Sequence, residues 1–243
     1  MSPSPLRRSF DVYYRDTART VRMDRLNAQF IRKGGLAFDI GAHVGDRTAS
    51  FRRLGASVVA LEPQPDVFRA LRLIHGKDHR IALKCQAVGG TAGHTDMFVN
   101  SRNPTVSTVS QELPKVAHSS PDWQGQTWDK CLRVPVTTLD ALIAEHGKPD
   151  FVKIDVEGHE AEVLHGLSTP IRALSFEFTT LQRRVVRPCM DRLEILGRWE
   201  FNVSLGEEHT LAFDAWVSSR RIAEYVHGLP SSANSGDIYA RLK

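Results

Sequence analysis

Asp39, Gly41, Gly45 and Glu62 stand at intervals that suit the binding of a nucleoside, inside the stretch LAFDIGAHVGDRTASFRRLGASVVALEP at residues 36–63. Leu36–Ile40 is an apolar run ended by Gly41; a short turn reaches Gly45, a helix is expected over 46–54, and a second apolar run, 58–61, closes at Glu62. In a strand, glycine turn, helix, strand unit the bare backbone of the turn approaches a ligand beside the positive end of the helix. An acid closing the second strand then faces ribose hydroxyls. Asp39 and Glu62 lie 23 positions apart, close to the roughly 20 of a ribose-binding carboxylate. The turn, Gly41-Ala42-His43-Val44-Gly45, is not G-x-G-x-x-G. It suits adenosine carrying an amino-acid tail better than adenosine carrying a pyrophosphate.

A second set of polar residues follows later apolar runs. Asp155, Glu157, His159 and Glu160 come directly after 151–154, and Glu177 stands near the end of 174–178. Gln86 and Ala87 lie at the end of a third run, 81–88, which is expected to be a single strand. Ligands of doubly wound sheets gather at the carboxyl ends of the strands, which places Gln86 and Ala87 for contact with adenine.

The elements that must position these groups alternate between helix and strand. Residues 9–32 read as one or two helices broken by Gly34-Gly35. Pro65 opens a helix carried by Val67, Phe68, Leu71 and Ile74 and ending near Gly76. Residues 94–100 form a short extra strand, and 101–130, rich in Ser, Thr, Pro, Gln and Asp, form a long irregular insertion expected to face the substrate. Thr138 caps a helix over 139–146, and Ala161, Val163, Leu164 and Leu167 carry another after the 151–154 strand. A helix at 188–196, a strand at 199–205, an antiparallel return at 211–213, a helix at 215–227 and a last strand at 238–240 complete the chain. This alternation implies an α/β fold with a mostly parallel sheet.

The 243 residues suffice for one such domain, 34–243, preceded by a basic helical arm, 1–33. With 41% apolar and 25% charged residues the chain is neither disordered nor collagen-like. It has no apolar run near the roughly 18 residues of a membrane span and no apolar signal core, so a cytoplasmic location is expected. Cys85, Cys131 and Cys189 are widely spaced and odd in number, which supports neither a disulfide framework nor a cysteine-rich zinc site. The net charge of +4 is concentrated in the arm, where eight Arg and Lys face three Asp. That is a footprint for nucleic acid or an acidic membrane surface. The interleaved Phe10, Tyr13, Tyr14, Val21, Leu26 and Phe30 fit better with an arm that lays its apolar side on the core.

The segment TTLDALIAEHGKPDFVKIDVEGHEAEVLHG, residues 137–166, resembles the characteristic stretch of the FkbM family of S-adenosylmethionine-dependent methyltransferases, in which T-L-D opens a helix and K-I-D-x-E-G-x-E follows the fourth strand. Together with the D-I-G-A-x-x-G turn and the E-P after the second strand, the resemblance spans residues 36–178. It implies a class I methyltransferase fold, Rossmann-like and doubly wound, with a mostly parallel seven-stranded sheet and helices on both faces. It also implies S-adenosylmethionine as cofactor, held by Asp39, Gly41, His43, Gly45, Thr48, Glu62, Gln86, Ala87 and Asp155; Asp155 and Glu157 could join a divalent metal, but no His, Asp or Glu spacing demands one, and none is expected. His43 departs from the Asn common at that point of the family's turn, exchanging an amide for an imidazole. The arm and the insertion lie outside the matched blocks and are the parts that choose the acceptor.

An alcohol acceptor must lose a proton, which makes Asp155, Glu157, His159 and Glu177 the candidate catalytic bases. Because methyl transfer is an in-line displacement that relieves charge on sulfur, positioning carries much of the catalysis. The expected acceptor is a hydroxyl of a small molecule: a sugar, a lipid or a secondary metabolite. The alternatives are ribose methylation of RNA through the basic arm, and cofactor binding without catalysis. Lys153-Ile154-Asp155-Val156-Glu157 is unlike the N/D-P-P-Y segment that accompanies methylation of base amines.

Overall fold

The computed structural model describes residues 5–243; the first four residues of the expected arm lie outside the described residues. The chain opens with two helices, α1 (Pro5–Tyr14) and α2 (Thr17–Asn27). The glycine-turn unit follows as β1 (Leu36–Ile40), α3 (Asp46–Arg53) and β2 (Ser57–Leu61), and then come α4 (Pro65–His75) and β3 (Ile81–Lys84). Next are β4 (Ala87–Val88), β5 (Gly93–Val99), α5 (Leu113–His118) and β6 (Lys130–Thr137). The second half holds α6 (Leu139–His146), β7 (Phe151–Ile154), α7 (Glu160–His165), β8 (Ala173–Thr179) and α8 (Val186–Leu196). It ends with β9 (Trp199–Leu205), α9 (Ser219–Gly228) and β10 (Ser235–Leu242).

Seven strands make one sheet in the order β3-β2-β1-β7-β8-β10-β9. Only β10 runs against the others, wedged between β8 and β9. The order reverses between β1 and β7, which pair in parallel from Ala37 with Phe151 to Ile40 with Ile154. A crevice at the carboxyl ends of the strands is the consequence of that reversal. This is the class I methyltransferase architecture expected from the sequence.

Alternation along β1 divides the core into two layers. Phe38 and Ile40 join Leu139, Leu164, Leu193 and Ile222 on one face, while Ala37 joins Leu26, Phe51, Leu71 and Phe151 on the other. Phe30, just past α2, stacks on Phe151 at 5.0 Å and on Tyr239 at 5.4 Å. The apolar side of the arm is therefore part of the second layer. Three of its cations have partners in the body of the fold: Arg19 bonds Asp46 and Glu207, Arg32 bonds Asp150, and Arg22 donates to the Glu208 carbonyl.

Three expectations need correction. The run 81–88 is not one strand, because Cys85 and Gln86 carry the chain out of the main sheet and Ala87–Val88 pair instead with β6. That second sheet has the order β4-β6-β5; β6 is hidden in the sequence by Pro135 and by alternation with exposed Lys and Arg. Residues 211–213 form no strand, and the antiparallel neighbour of β9 is β10, which extends well beyond 238–240. The insertion is also less irregular than expected, holding α5 and single helical turns at Pro104–Val106 and Pro121–Trp123.

Candidate active site

The glycine turn is built on backbone contacts that leave no room for side chains. Gly41 has φ +80°, and a Cβ there would overlap the carbonyl oxygen of Asp155, so the ends of β1 and β7 touch. The N–H groups of Gly41 and Ala42 both donate to the Leu61 carbonyl, at 3.0 and 2.8 Å. His43, at φ +48°, donates its N–H to Glu62 Oε2 at 3.0 Å, and Gln64 donates its N–H to Glu62 Oε1 at 2.8 Å. Burial nevertheless pushes the Glu62 carboxyl up to about 7 against those two amides. Beneath the turn, Asp39 accepts from Thr48 Oγ1 at 2.5 Å, and burial raises its carboxyl to about 6.

A cavity of about 500 Å³ opens at the carboxyl ends of β1, β2, β7 and β8, within the size range of small-molecule sites. Gly41, His43, Glu62, Gln86 and Ala87 line one part of it, and Asp155, Glu157 and Glu177 line another. Asp39 and Thr48 sit behind the turn, and Gly45 packs against His75 of α4. These three position the wall without being part of it. His159 is not on the wall either: it immediately precedes α7, and its ring lies beside Gly89.

The three acids stand close, with one oxygen from each within 4.8 Å of the others. Lys153 Nζ donates to Asp155 Oδ2 at 3.1 Å and to Asp237 Oδ1 at 2.7 Å. Burial opposes ionisation of Asp155, but Lys153 and a hydrogen bond with Glu177 bring its carboxyl below the usual range. Burial and repulsion from Asp155 hold Glu157 and Glu177 far above it. A shared proton or a divalent cation are the two ways to relieve that repulsion, and the oxygen donor set fits either. Glu157 reaches the cavity from a left-handed backbone, φ +55°. Glu160 fastens that loop by accepting from the N–H groups of Val156 and Gly158 at 3.1 and 3.2 Å.

Several wall residues were not singled out in the sequence. Tyr13 of α1 lines the cavity, its ring 5.9 Å from that of His43 and 5.2 Å from the Arg19 guanidinium. Glu207 also lines it, and follows a glycine at a strand end much as Asp155 follows β7. From the insertion come Asn103, Trp123 and Gln126, whose only signal was an aromatic residue amid amides in a polar stretch. The insertion is pinned at both parts of the cavity. Gln64 Nε2 donates to the Pro104 carbonyl at 3.0 Å, and Thr108 Oγ1 donates to the Glu157 carbonyl at 2.7 Å.

The residues fit a nucleoside with an amino-acid tail. Both ring nitrogens of His43 are buried without a partner among the described residues, a state that a ligand contact would resolve. Glu62 offers its carboxylate on the same wall.

Residues 39–225 match the methyltransferase FkbM domain. The hexuronic acid methyltransferase AglP of Haloferax volcanii is 26% identical over 154 residues, which cover 63% of this chain and 58% of that protein. The match thus spans less than two thirds of that relative's length. Among solved structures, an O-methyltransferase from Bacillus cereus in complex with S-adenosylhomocysteine aligns over 98% of this chain and 87% of its own, with 11% identity and a TM-score of 0.46. A precorrin-6y C5,15-methyltransferase from Geobacter metallireducens aligns over 92% and 87%, with 14% identity and a TM-score of 0.45. Matched from the acid beneath the glycine turn to the last helix, the chain belongs to the FkbM family of S-adenosylmethionine-dependent methyltransferases.

Proposed function

We propose that this protein methylates a hydroxyl group of a small molecule, with a sugar as the acceptor class best supported. The observation that carries the reading is the acid group of Asp155, Glu157 and Glu177 on the wall of the cavity that Glu62 and the glycine turn also line. When bound, S-adenosylmethionine supplies a methyl group on a positively charged sulfur. Glu62 would accept hydrogen bonds from the ribose hydroxyls, the turn at Gly41 would admit the cofactor close to backbone, and Asp155, kept ionised by Lys153, would stabilise its positive charge. The base is Glu157 or Glu177 in its ionised form: burial and the neighbouring Asp155 raise the proton affinity of both carboxylates, and the one that takes the proton of the acceptor hydroxyl becomes a neutral acid. The name of the archaeal relative, a hexuronic acid methyltransferase, supports a carbohydrate acceptor. Against the RNA reading stands the fact that Arg19, Arg22 and Arg32 of the arm have partners of their own.

The test is incubation of the protein with methyl-labelled cofactor and fractionated extract of the source cells. Label in a small-molecule fraction as an alkali-stable ether is the expected result. Label in RNA overturns the reading.

A further inference from the structure

The insertion gives its part of the cavity a chemistry of its own. Trp123 lines the cavity and belongs to none of the apolar clusters of the fold, so core packing does not account for its position. Beside it on the wall stand two primary amides, Asn103 and Gln126. Gln126 Oε1 accepts from Asn100 Nδ2 at 2.8 Å and from Asn103 Nδ2 at 3.4 Å, and Asn103 Oδ1 accepts from Thr105 Oγ1 at 2.6 Å. The amide oxygens are thus engaged, and among the described residues the NH₂ of Gln126 is left as a donor for a ligand hydroxyl. Among the described residues, no Lys or Arg side chain lines the cavity, whereas Glu157, Glu177 and Glu207 do. The cations that touch wall acids are already paired: Lys153 with Asp155 and Asp237, and Arg19 and Arg47 with Glu207 and Asp46.

We propose that the acceptor is a neutral glycosyl unit, a pyranose without carboxylate or phosphate, seated with one C–H face on the Trp123 ring and its hydroxyls against Asn103, Gln126 and the wall acids. The proposal rests on the reading of hydroxyl methylation and names its substrate class. A pyranose offers an apolar face and a rim of hydroxyls that both donate and accept. An aromatic plane, amides and carboxylates meet that combination, the carboxylates as acceptors. An anionic sugar would bring its charge among the wall carboxyl groups with no unpaired Lys or Arg of the described residues to meet it, and an unpaired buried charge is among the costliest things a site can hold. The same argument disfavours sugar phosphates and nucleic acid. The inference therefore separates this chain from a hexuronate-methylating one on the charge of the cavity alone.

Methyl-labelled S-adenosylmethionine is supplied to the protein with the neutral-sugar, acidic-sugar, lipid and RNA fractions of the source cells, and each product is treated with mild alkali and then hydrolysed to its units. Alkali-stable label in a neutral sugar, at least tenfold above that in any uronic acid, is expected. Trp123→Ala should then raise KM for the labelled fraction at least tenfold while calorimetric affinity for S-adenosylhomocysteine stays within twofold, which also shows the variant to be folded. Alkali-stable label confined to a non-sugar alcohol overturns the glycosyl proposal and leaves hydroxyl methylation standing. Alkali-labile label in a uronic acid, or label in RNA, overturns both. An unchanged KM in Trp123→Ala removes the ring from the acceptor site and overturns the proposal as stated.

Discussion

The backbone N–H of His43 donates to Oε2 of Glu62 at 3.0 Å, fastening the turn after β1 to the acid that closes β2. Glu62 thus holds its own loop and, in the proposed function, also receives ribose. Glu62→Ala removes both, leaving the N–H groups of His43 and Gln64 without their acceptor. Affinity for S-adenosylhomocysteine, measured by calorimetry, should fall at least tenfold, since charge-assisted bonds are worth roughly 1.5 to 3 kcal/mol each. The melting temperature of the ligand-free variant should fall as well. A variant with wild-type affinity would place the ribose elsewhere.

The same carboxyl gives the free protein a pH signature. Glu62 is held at about 7 in the fold against an ordinary value of 4.5. Between those values the folded state keeps a proton that the unfolded chain has released. Its contribution to stability is therefore fully present below about pH 4.5 and is lost as pH rises through 7. Relative to Glu62→Gln, which carries no such proton, the wild type should lose roughly 2.5 kcal/mol between pH 5 and 8. Urea unfolding of both proteins without cofactor measures it, and a gap that does not move with pH would show Glu62 ionised throughout.

Glu157→Gln and Glu177→Gln should each keep affinity for S-adenosylhomocysteine within a few fold, and at least one should lower turnover by about 10² to 10⁴, the usual cost of a lost base. His159→Ala should turn over normally, because its ring lies by Gly89 and off the cavity wall. The split between kcat and cofactor affinity across the three variants is the measurement. A loss of turnover confined to His159→Ala would reverse the assignment.

Legibility in the sequence followed the reach of local signals. The turn, both its flanking strands and the Asp155 to Glu160 loop are specified within a few residues by glycines, apolar runs and caps, and each was read near its true boundary. β10 could not be placed the same way, because nothing local says that the last strand enters between β8 and β9. Cys85 and Gln86 look like strand residues, and only the pairing of Ala87 with Val136 shows that the chain has changed sheets. Tyr13, Trp123 and Glu207 reach the cavity through long-range packing, which no spacing rule encodes. Asp39 and Thr48 were the reverse case: their types were noticed, but burial turns them inward as support.

Arg19 joins the arm to the site. Its guanidinium, 4% exposed, meets Asp46 at 2.7 Å and also bonds Glu207, and Glu207 is held ionised against burial chiefly by Arg47, with help from His209 and Arg19. Arg19→Met strips one cation from this group and leaves Asp46 with less than its share of positive charge. Chemical denaturation should show a loss of about 3 kcal/mol, as for other broken buried pairs, and cofactor affinity should fall with it as Tyr13 loses its neighbour. A variant as stable as wild type would reduce the group to surface decoration.

The hydrogen bond from Thr108 to the Glu157 carbonyl joins the insertion to the acid loop. If the insertion chooses the acceptor, as proposed, this hydroxyl is the joint that any replacement loop must keep in order to dock on the acid loop. A laboratory graft of a foreign insertion should therefore cut at the second sheet, retain Thr108 and inherit the donor's choice of acceptor with an intact methyl-donor half.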